Sequence, residues 1–204
     1  MSPRVYRSDK RQAAAEETRQ RVLAAARSLL AGDRPRISVD AVAKAADVSR
    51  QTIYNVFGTK SGLLEALFDS LAGRAGLDVT RAFHAPDADT ALRRFTEGFC
   101  HFWASDPIVI RRLRGMAVLD PDLDHLLHDR DDRRRSALTA LLAHHADTAD
   151  TAAPTTEETV DLICQLTGFE TYEGLSRRNP DRDPTEVADL VAGAVIAVYN
   201  AGNT

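Results

Sequence analysis

The chain is poor in several things at once. Its 204 residues include two cysteines, two methionines, one tryptophan and three lysines. Two cysteines without a Cys-rich pattern rule out a disulfide framework, and Cys100 and Cys164, on apolar helical faces, read as reduced core residues of a cytoplasmic protein. No apolar run approaches the ~18 residues needed to cross a bilayer, so no membrane partner is expected. No apolar h-region follows the basic N-terminal residues, which excludes a signal peptide. There is no internal repeat, and no low-complexity tract beyond the short polar segment Asp147 to Thr156. No nucleotide loop, no HExxH string and no Ser/His/Asp arrangement in a motif context occurs, so neither catalysis nor a cofactor is expected.

Positive charge is scarce overall and unevenly placed. The net charge is −4, which alone argues against a general nucleic-acid binder. Residues 1–62, however, hold 12 Lys+Arg against 6 Asp+Glu, a balance of +6, whereas residues 63–204 hold 14 against 24, a balance of −10. All three lysines, Lys10, Lys44 and Lys60, lie in the first part. A basic head on an acidic body is an electrostatic footprint suited to DNA. Residues 1–12, with Arg4, Arg7, Lys10 and Arg11 and little apolar content, read as a mobile basic arm able to lie on phosphates or reach a minor groove.

Within the basic part, Ser38 to Lys60 reads SVDAVAKAADVSRQTIYNVFGTK. Val39, Val42, Ala43 and Ala46 recur at helical spacing, and Val48, Ile53, Val56 and Phe57 do so again. Asp47 separates the two runs, and Ser49 is a strong N-cap residue. Two short helices joined by so tight a turn form a helix-turn-helix, whose second helix can enter the major groove. Small Ala43 suits the crossing of the two helices, while Ile53 and Phe57 give the second an apolar underside. Its N-terminal face carries Arg50, Gln51 and Thr52, with Tyr54 and Asn55 beside them. Arg and Gln match guanine and adenine edges, and Thr can bond a base or touch a thymine methyl. Tyr54 and Lys60 offer donors to phosphate oxygens, as does the start of the next helix near Ser61. Ser38 and Ser49 complete the expected DNA-binding set.

The string AADVSRQTIYNVFGTKSGLLEAL resembles the TetR family of bacterial transcription regulators. Ala46, Val48, Ser49, Thr52, Ile53, Tyr54, Phe57, Lys60, Leu63 and Leu64 fall on that family's pattern in order and spacing, and Thr18 to Gly32 resembles its first helix. One departure concerns the turn, where glycine is usual and Asp47 stands here. The position demands positive φ, which Asp is among the few other residues to tolerate. The resemblance implies an all-α fold, with a helix-turn-helix domain over residues 13–60 and an effector-binding and dimerisation domain over residues 61–204.

Beyond the motif everything reads helical, with nine helices expected: near 13–31, 39–46, 50–56, 62–75, 89–104, 107–118, 121–145, 156–177 and 184–200. Asp106-Pro107, Asp120-Pro121 and Asp183-Pro184 each set an N-cap acceptor before a first-turn proline, and Asp183 with Glu186 forms a capping-box pattern. In the last helix Val187, Leu190, Val191, Ala194, Val195 and Val198 make an apolar stripe. The helix before it adds Val160, Ile163, Leu166, Phe169 and Leu175. The resemblance implies that these two helices pair with their counterparts in a homodimer, with Ile163, Leu166 and the six stripe residues at its interface. A dimer is also what DNA reading asks for, because one recognition helix reads too few base pairs for useful specificity. Glycines at 168, 174 and 193 interrupt these helices, which fits either close helix approach or room for a ligand.

The resemblance further implies an effector cavity in the body. Phe99, Cys100, Trp103, Met116, Phe169, Glu170 and Tyr172, with His101, are its candidate lining, although Phe95, Phe99, Phe102 and Met116 are first of all core candidates, since an aromatic stripe at helical spacing is more often packing than pocket. A small apolar or amphipathic effector would reorient the helix after Lys60 and release a palindromic double-stranded operator. Two alternatives stay open: a DNA-bound factor whose body binds a protein, and an activator. In Asp120 to Asp132, the residues Asp124, His125, His128 and Asp129 have a spacing compatible with a metal. Acids at a helix start followed by Arg130 and Arg133 to Arg135 fit a solvated, salt-bridged face better, so no metal is expected.

Overall fold

A computed structural model describes residues 3–33, 37–149 and 155–202, with side chains from Gln12 onward and, in the second stretch, as far as Ala146. Among the described residues there are eleven α-helices and no strand: α1 (Pro3–Ala31), α2 (Val39–Ala45), α3 (Arg50–Phe57), α4 (Lys60–Arg74), α5 (Thr80–Phe83), α6 (Ala88–Ser105), α7 (Pro107–Ala117), α8 (Pro121–Ala149), α9 (Glu157–Leu166), α10 (Phe169–Arg178) and α11 (Pro184–Gly202). The all-α expectation holds, with three differences in detail. Residues 3–12, expected as an arm, open α1 as helical backbone; the side chains of Arg4, Arg7, Lys10 and Arg11 lie outside the described residues, as does most of the polar tract from Asp147. A short helix, α5, occupies a stretch read as a connection. The helix expected at 156–177 is two helices.

The chain separates into two compact units, Met1–Ser70 with Ile108–Leu126, and Leu71–Pro107 with Leu127–Thr204. The first therefore contains α7 from its second residue on and the start of α8 as well as the helix-turn-helix, a grouping that a division of the sequence at residue 60 does not express. Its core is Val22, Leu23, Ala26 and Leu30 of α1, Val42 and Ala43 of α2, Ile53 of α3 and Leu63, Leu64 and Leu67 of α4, all buried. Residues 108–126 are tied to this core. Val109, Ile110 and Leu113 are fully buried, and Arg112 Nη1 donates to the carbonyl oxygens of Leu30 and, at 2.6 Å, of Gly32. Those carbonyls close α1, where the last turn of a helix has acceptors without intrahelical donors.

The second unit packs α11 against α6, α9 and α10. Phe95, Phe99, Phe102 and Trp103 of α6 and Phe169 of α10 are buried together. Trp103 centres them, with ring centroids 4.6 Å from Phe102 and 5.7 Å from Phe169. The break between α9 and α10 follows from its residues. Thr167 closes α9 through its N–H to Ile163 O at 2.9 Å, and Gly168 takes an extended conformation as the N-cap of α10. The carbonyl of Thr167, left without a helical donor, accepts from Trp103 Nε1 at 3.0 Å and from Arg134 Nη1 at 3.4 Å. Both acceptor contacts are buried, where an unpaired carbonyl would cost about 1–3 kcal/mol. Gly168 is thus a cap and not an interior helix residue. At α11, Asp183 accepts from the N–H groups of Thr185 and Glu186, and Glu186 Oε2 accepts in return from Asp183 N at 3.1 Å, which is the capping box read from sequence.

Candidate nucleic-acid interface

The turn between α2 and α3 is built by short-range hydrogen bonds, among which the Ser49 cap was expected from sequence and the Ser38 cap was not. Ser38 caps α2 by accepting from Ala41 N at 3.1 Å. At the other end Asp47 has φ 52, the left-handed conformation expected of it. Val48 N donates to Ala43 O at 3.0 Å and Asp47 N to Lys44 O at 3.4 Å, the 6→1 and 5→2 pair of a Schellman closure. Ser49 then caps α3, accepting from Thr52 N at 3.0 Å. Ile53, fully buried, fixes the rotation of α3 about its own axis, and Arg19 stands over the Phe57 ring at 5.1 Å.

That rotation decides which side chains look outward. Arg50, Gln51, Tyr54 and Asn55 are exposed, while Thr52 and Lys60 are half-buried. Each outward group has an internal partner. Arg50 Nε lies 3.1 Å from Asp40 Oδ1 on α2, and its pKa is raised, first by the Tyr54 hydroxyl and then by the Asp40 carboxylate. Gln51 Nε2 donates to Asn55 Oδ1 at 2.9 Å, and the Thr52 and Ser49 hydroxyls share a bond of 2.8 Å. Ser38 and Ser49 are committed to caps. Sequence reading passed over Asp40; only its place in the first turn of α2, near the position where α3 crosses, signals it.

Lys60 is the first residue of α4, not the residue before it. Thr59 is the cap, accepting from Gly62 N at 2.9 Å. The ammonium of Lys60 pairs with Asp120 Oδ2 at the start of α8, within the same unit. Lys60 in turn holds the Asp120 carboxyl below its ordinary range, with the Leu123 N–H helping. Asp120 was legible as a cap but not as the partner of Lys60. The glycine at 62 was missed as well: a Cβ there would stand 2.2 Å from Phe57 O, so only glycine allows α3 and α4 to meet this closely.

In the second unit, Phe99, Cys100, Trp103, Phe169 and Tyr172 are buried together with Arg134, whose guanidinium lies 5.7 Å from the Phe99 ring and 5.9 Å from Trp103. Burial pushes the Cys100 thiol up to about 12, with Glu97 adding to it, and raises Cys164 and Tyr172 too. Both thiols stay protonated and unreactive at neutral pH. Of the other cavity candidates, Glu170 and His101 are exposed and Met116, half-buried, belongs to the first unit. The eight expected interface residues divide. Ile163, Val187, Val191 and Val195 are buried within their own subunit, Leu166 and Val198 are half-buried, and Leu190 and Ala194 are exposed. Among the described residues no group of three His, Cys, Asp or Glu could hold a metal ion, and no helix is long and apolar enough to cross a membrane.

The chain is similar to known proteins in sequence and in fold. Residues 22–67 match the family model described as bacterial regulatory proteins, tetR family. The chain is 40% identical over 113 residues to the HTH-type transcriptional regulator AlkX of Mycobacterium tuberculosis, a match covering 53% of this chain and about half, 52%, of that protein. It is 31% identical over 160 residues to the HTH-type transcriptional regulator EthR of Mycolicibacterium smegmatis, covering 78% of this chain and 70% of that one. A crystal structure of a TetR transcription regulator from Haloarcula marismortui has the same fold, with a TM-score of 0.65 over 93% of this chain and 100% of that chain, at 15% identity.

Proposed function

The chain belongs to the TetR family of bacterial regulatory proteins, and from that premise we propose that it is a sequence-specific, homodimeric DNA-binding regulator, a repressor released from a palindromic operator by a small apolar or amphipathic effector. The observation that carries this reading is the outer face of α3. Arg50, Gln51, Tyr54 and Asn55 are exposed on one short helix, and that helix is held by a buried Ile53, a Ser49 cap and a closed turn. A face so polar on a scaffold so firmly held suits major-groove edges. Lys60 and Tyr54 supply phosphate contacts, which position without specifying.

A two-fold dimer would present two such helices to half-sites about 34–36 Å apart or a multiple of it. A partner subunit would meet the exposed side of α11, with Leu190 and Ala194, and Leu162 of α9, since the other side is already buried. The effector would act through the apolar second unit on α4, whose residues run from the first unit into the second. It can do so only by binding one arrangement better than the other.

The test has two stages. Duplexes selected from a random-sequence pool should share an inverted repeat, and Lys60→Ala should weaken binding to selected and unselected duplexes alike while lowering the salt slope by about 1. A change of sequence preference with an unaltered slope would remove Lys60 from its role. Metabolites that dissociate the selected complex are then measured by calorimetry against free and DNA-bound protein. Equal affinity for both would end the effector scheme in favour of a protein-partner or activator role.

A further inference from the structure

We propose that Asp40, on α2, is a specificity-determining positioning residue: it orients Arg50 so that the arginine's terminal nitrogens read a guanine. The proposal rests on the assignment of α3 as the recognition helix. Asp40 sits in the first turn of a helix capped by Ser38, where a carboxylate is favoured by the helix dipole. Its Oδ1 meets Arg50 at Nε, 3.1 Å away. Nε is the side donor of the guanidinium. A bidentate contact to guanine O6 and N7 is made by two of the fork's donors; the Asp40 carboxylate lies against Nε and not against Nη1 or Nη2, while the Tyr54 hydroxyl also acts on the guanidinium and would yield to the base. Both side chains are mostly exposed, 59% for Arg50 and 66% for Asp40, so the pair contributes little to stability. Its consequence lies in removing rotamer freedom from a long side chain before it meets a base, which is the cost that preorganisation reduces.

The alternative is that Asp40 competes with DNA for Arg50. The two make opposite forecasts, because removing a carboxylate from a surface that faces DNA otherwise tightens binding. The experiment uses the full chain and duplexes selected by it from a random pool, each compared with single-base-pair variants. Asp40→Ala is expected to lower the preference for a guanine-containing pair about tenfold while leaving binding to unselected duplex equal or tighter. Asp40→Glu, which keeps the charge, is expected to restore part of the preference. In an Arg50→Ala background Asp40→Ala should have no further effect on preference. The proposal is overturned if Asp40→Ala tightens selected-site binding with the preference intact, if it acts equally with and without Arg50, or if the Asp40→Ala protein melts so early that only Asp40→Glu can be measured and that variant behaves as wild type at every base pair but binds unselected duplex differently. Should Arg50→Ala itself leave the preference untouched, this proposal falls; the recognition-helix assignment falls with it only if Gln51→Ala leaves the preference untouched as well.

Discussion

Helices α3 and α11 are both amphipathic, yet their outward faces are opposites. α3 buries Ile53 and turns Arg50, Gln51, Tyr54 and Asn55 to solvent. α11 buries Val187, Val191 and Val195 and turns out Leu190, Gly193, Ala194 and Ala197, with Leu162 of α9 also exposed. Leu190 and Leu162 are 50% and 54% exposed. A polar outer face needs nothing more in water and can wait for an anionic polymer. A small and apolar outer face gains by being covered, and a row of small residues lets another helix come close. Thus the inner face of a helix tells how its own subunit holds together, and the outer face tells what it is made to meet.

The contrast can be broken most severely at Leu190. A Leu190→Glu substitution should leave the subunit folded but dissociate the dimer, and operator affinity should fall by the 10²–10⁴-fold that a second linked site supplies. Sedimentation and DNA binding read this directly; an unchanged dimer would show that the outer face of α11 meets something else. Gly62→Ala comes next. It should destabilise the first unit by about 1–3 kcal/mol through overpacking against Phe57 O, read by urea unfolding. The same change at Gly193, which has nothing within 4 Å of a built Cβ, should stabilise the monomer by up to about 1 kcal/mol.

Smaller again is Asp47→Gly, which should be neutral or raise stability by up to about 1 kcal/mol by relieving the φ of 52; a marked fall in melting temperature would contradict the turn. The smallest effect concerns pH. Because Asp120's pKa is lowered in the folded chain, the Lys60–Asp120 pair stabilises fully above the ordinary Asp value of about 4 and is lost as pH falls through the lowered one. The gap in melting temperature between wild type and Asp120→Asn, worth at most about 1 kcal/mol, should therefore close in acid. A gap that persists there would mean that the pair is not its cause.

The legible and illegible parts divide along one line. The caps at Ser49 and Asp183 could be foretold because donor and acceptor lie two or three residues apart, and the left-handed turn at Asp47 because few residues tolerate it. The exposed residues of α3 followed from periodicity and from likeness to a known pattern. Three features could not be read: Asp40 as the partner of Arg50, Asp120 as the partner of Lys60, and Gly62 against Phe57. The first two join helices whose sequence positions lie 10 and 60 residues apart, and nothing in a local window registers such a meeting. The glycine lies only five residues from its neighbour, but the need for it arises from how α4 leaves α3.

By itself, then, the order of residues determined the helical class, most helix ends and the exposed polar face of α3, because these depend on hydrogen bonds and side-chain spacing within a turn or two. Tertiary structure decided that α9 and α10 part at Thr167, whose carbonyl is taken by Trp103 and Arg134 from other helices. It decided that residues 108–126 join the first unit through Arg112 and the carbonyls ending α1. It also decided which half of the α11 stripe is core and which is surface. A stripe says only that one side of a helix is apolar, and where both sides are apolar the packing of α6, α9 and α10 chooses between them.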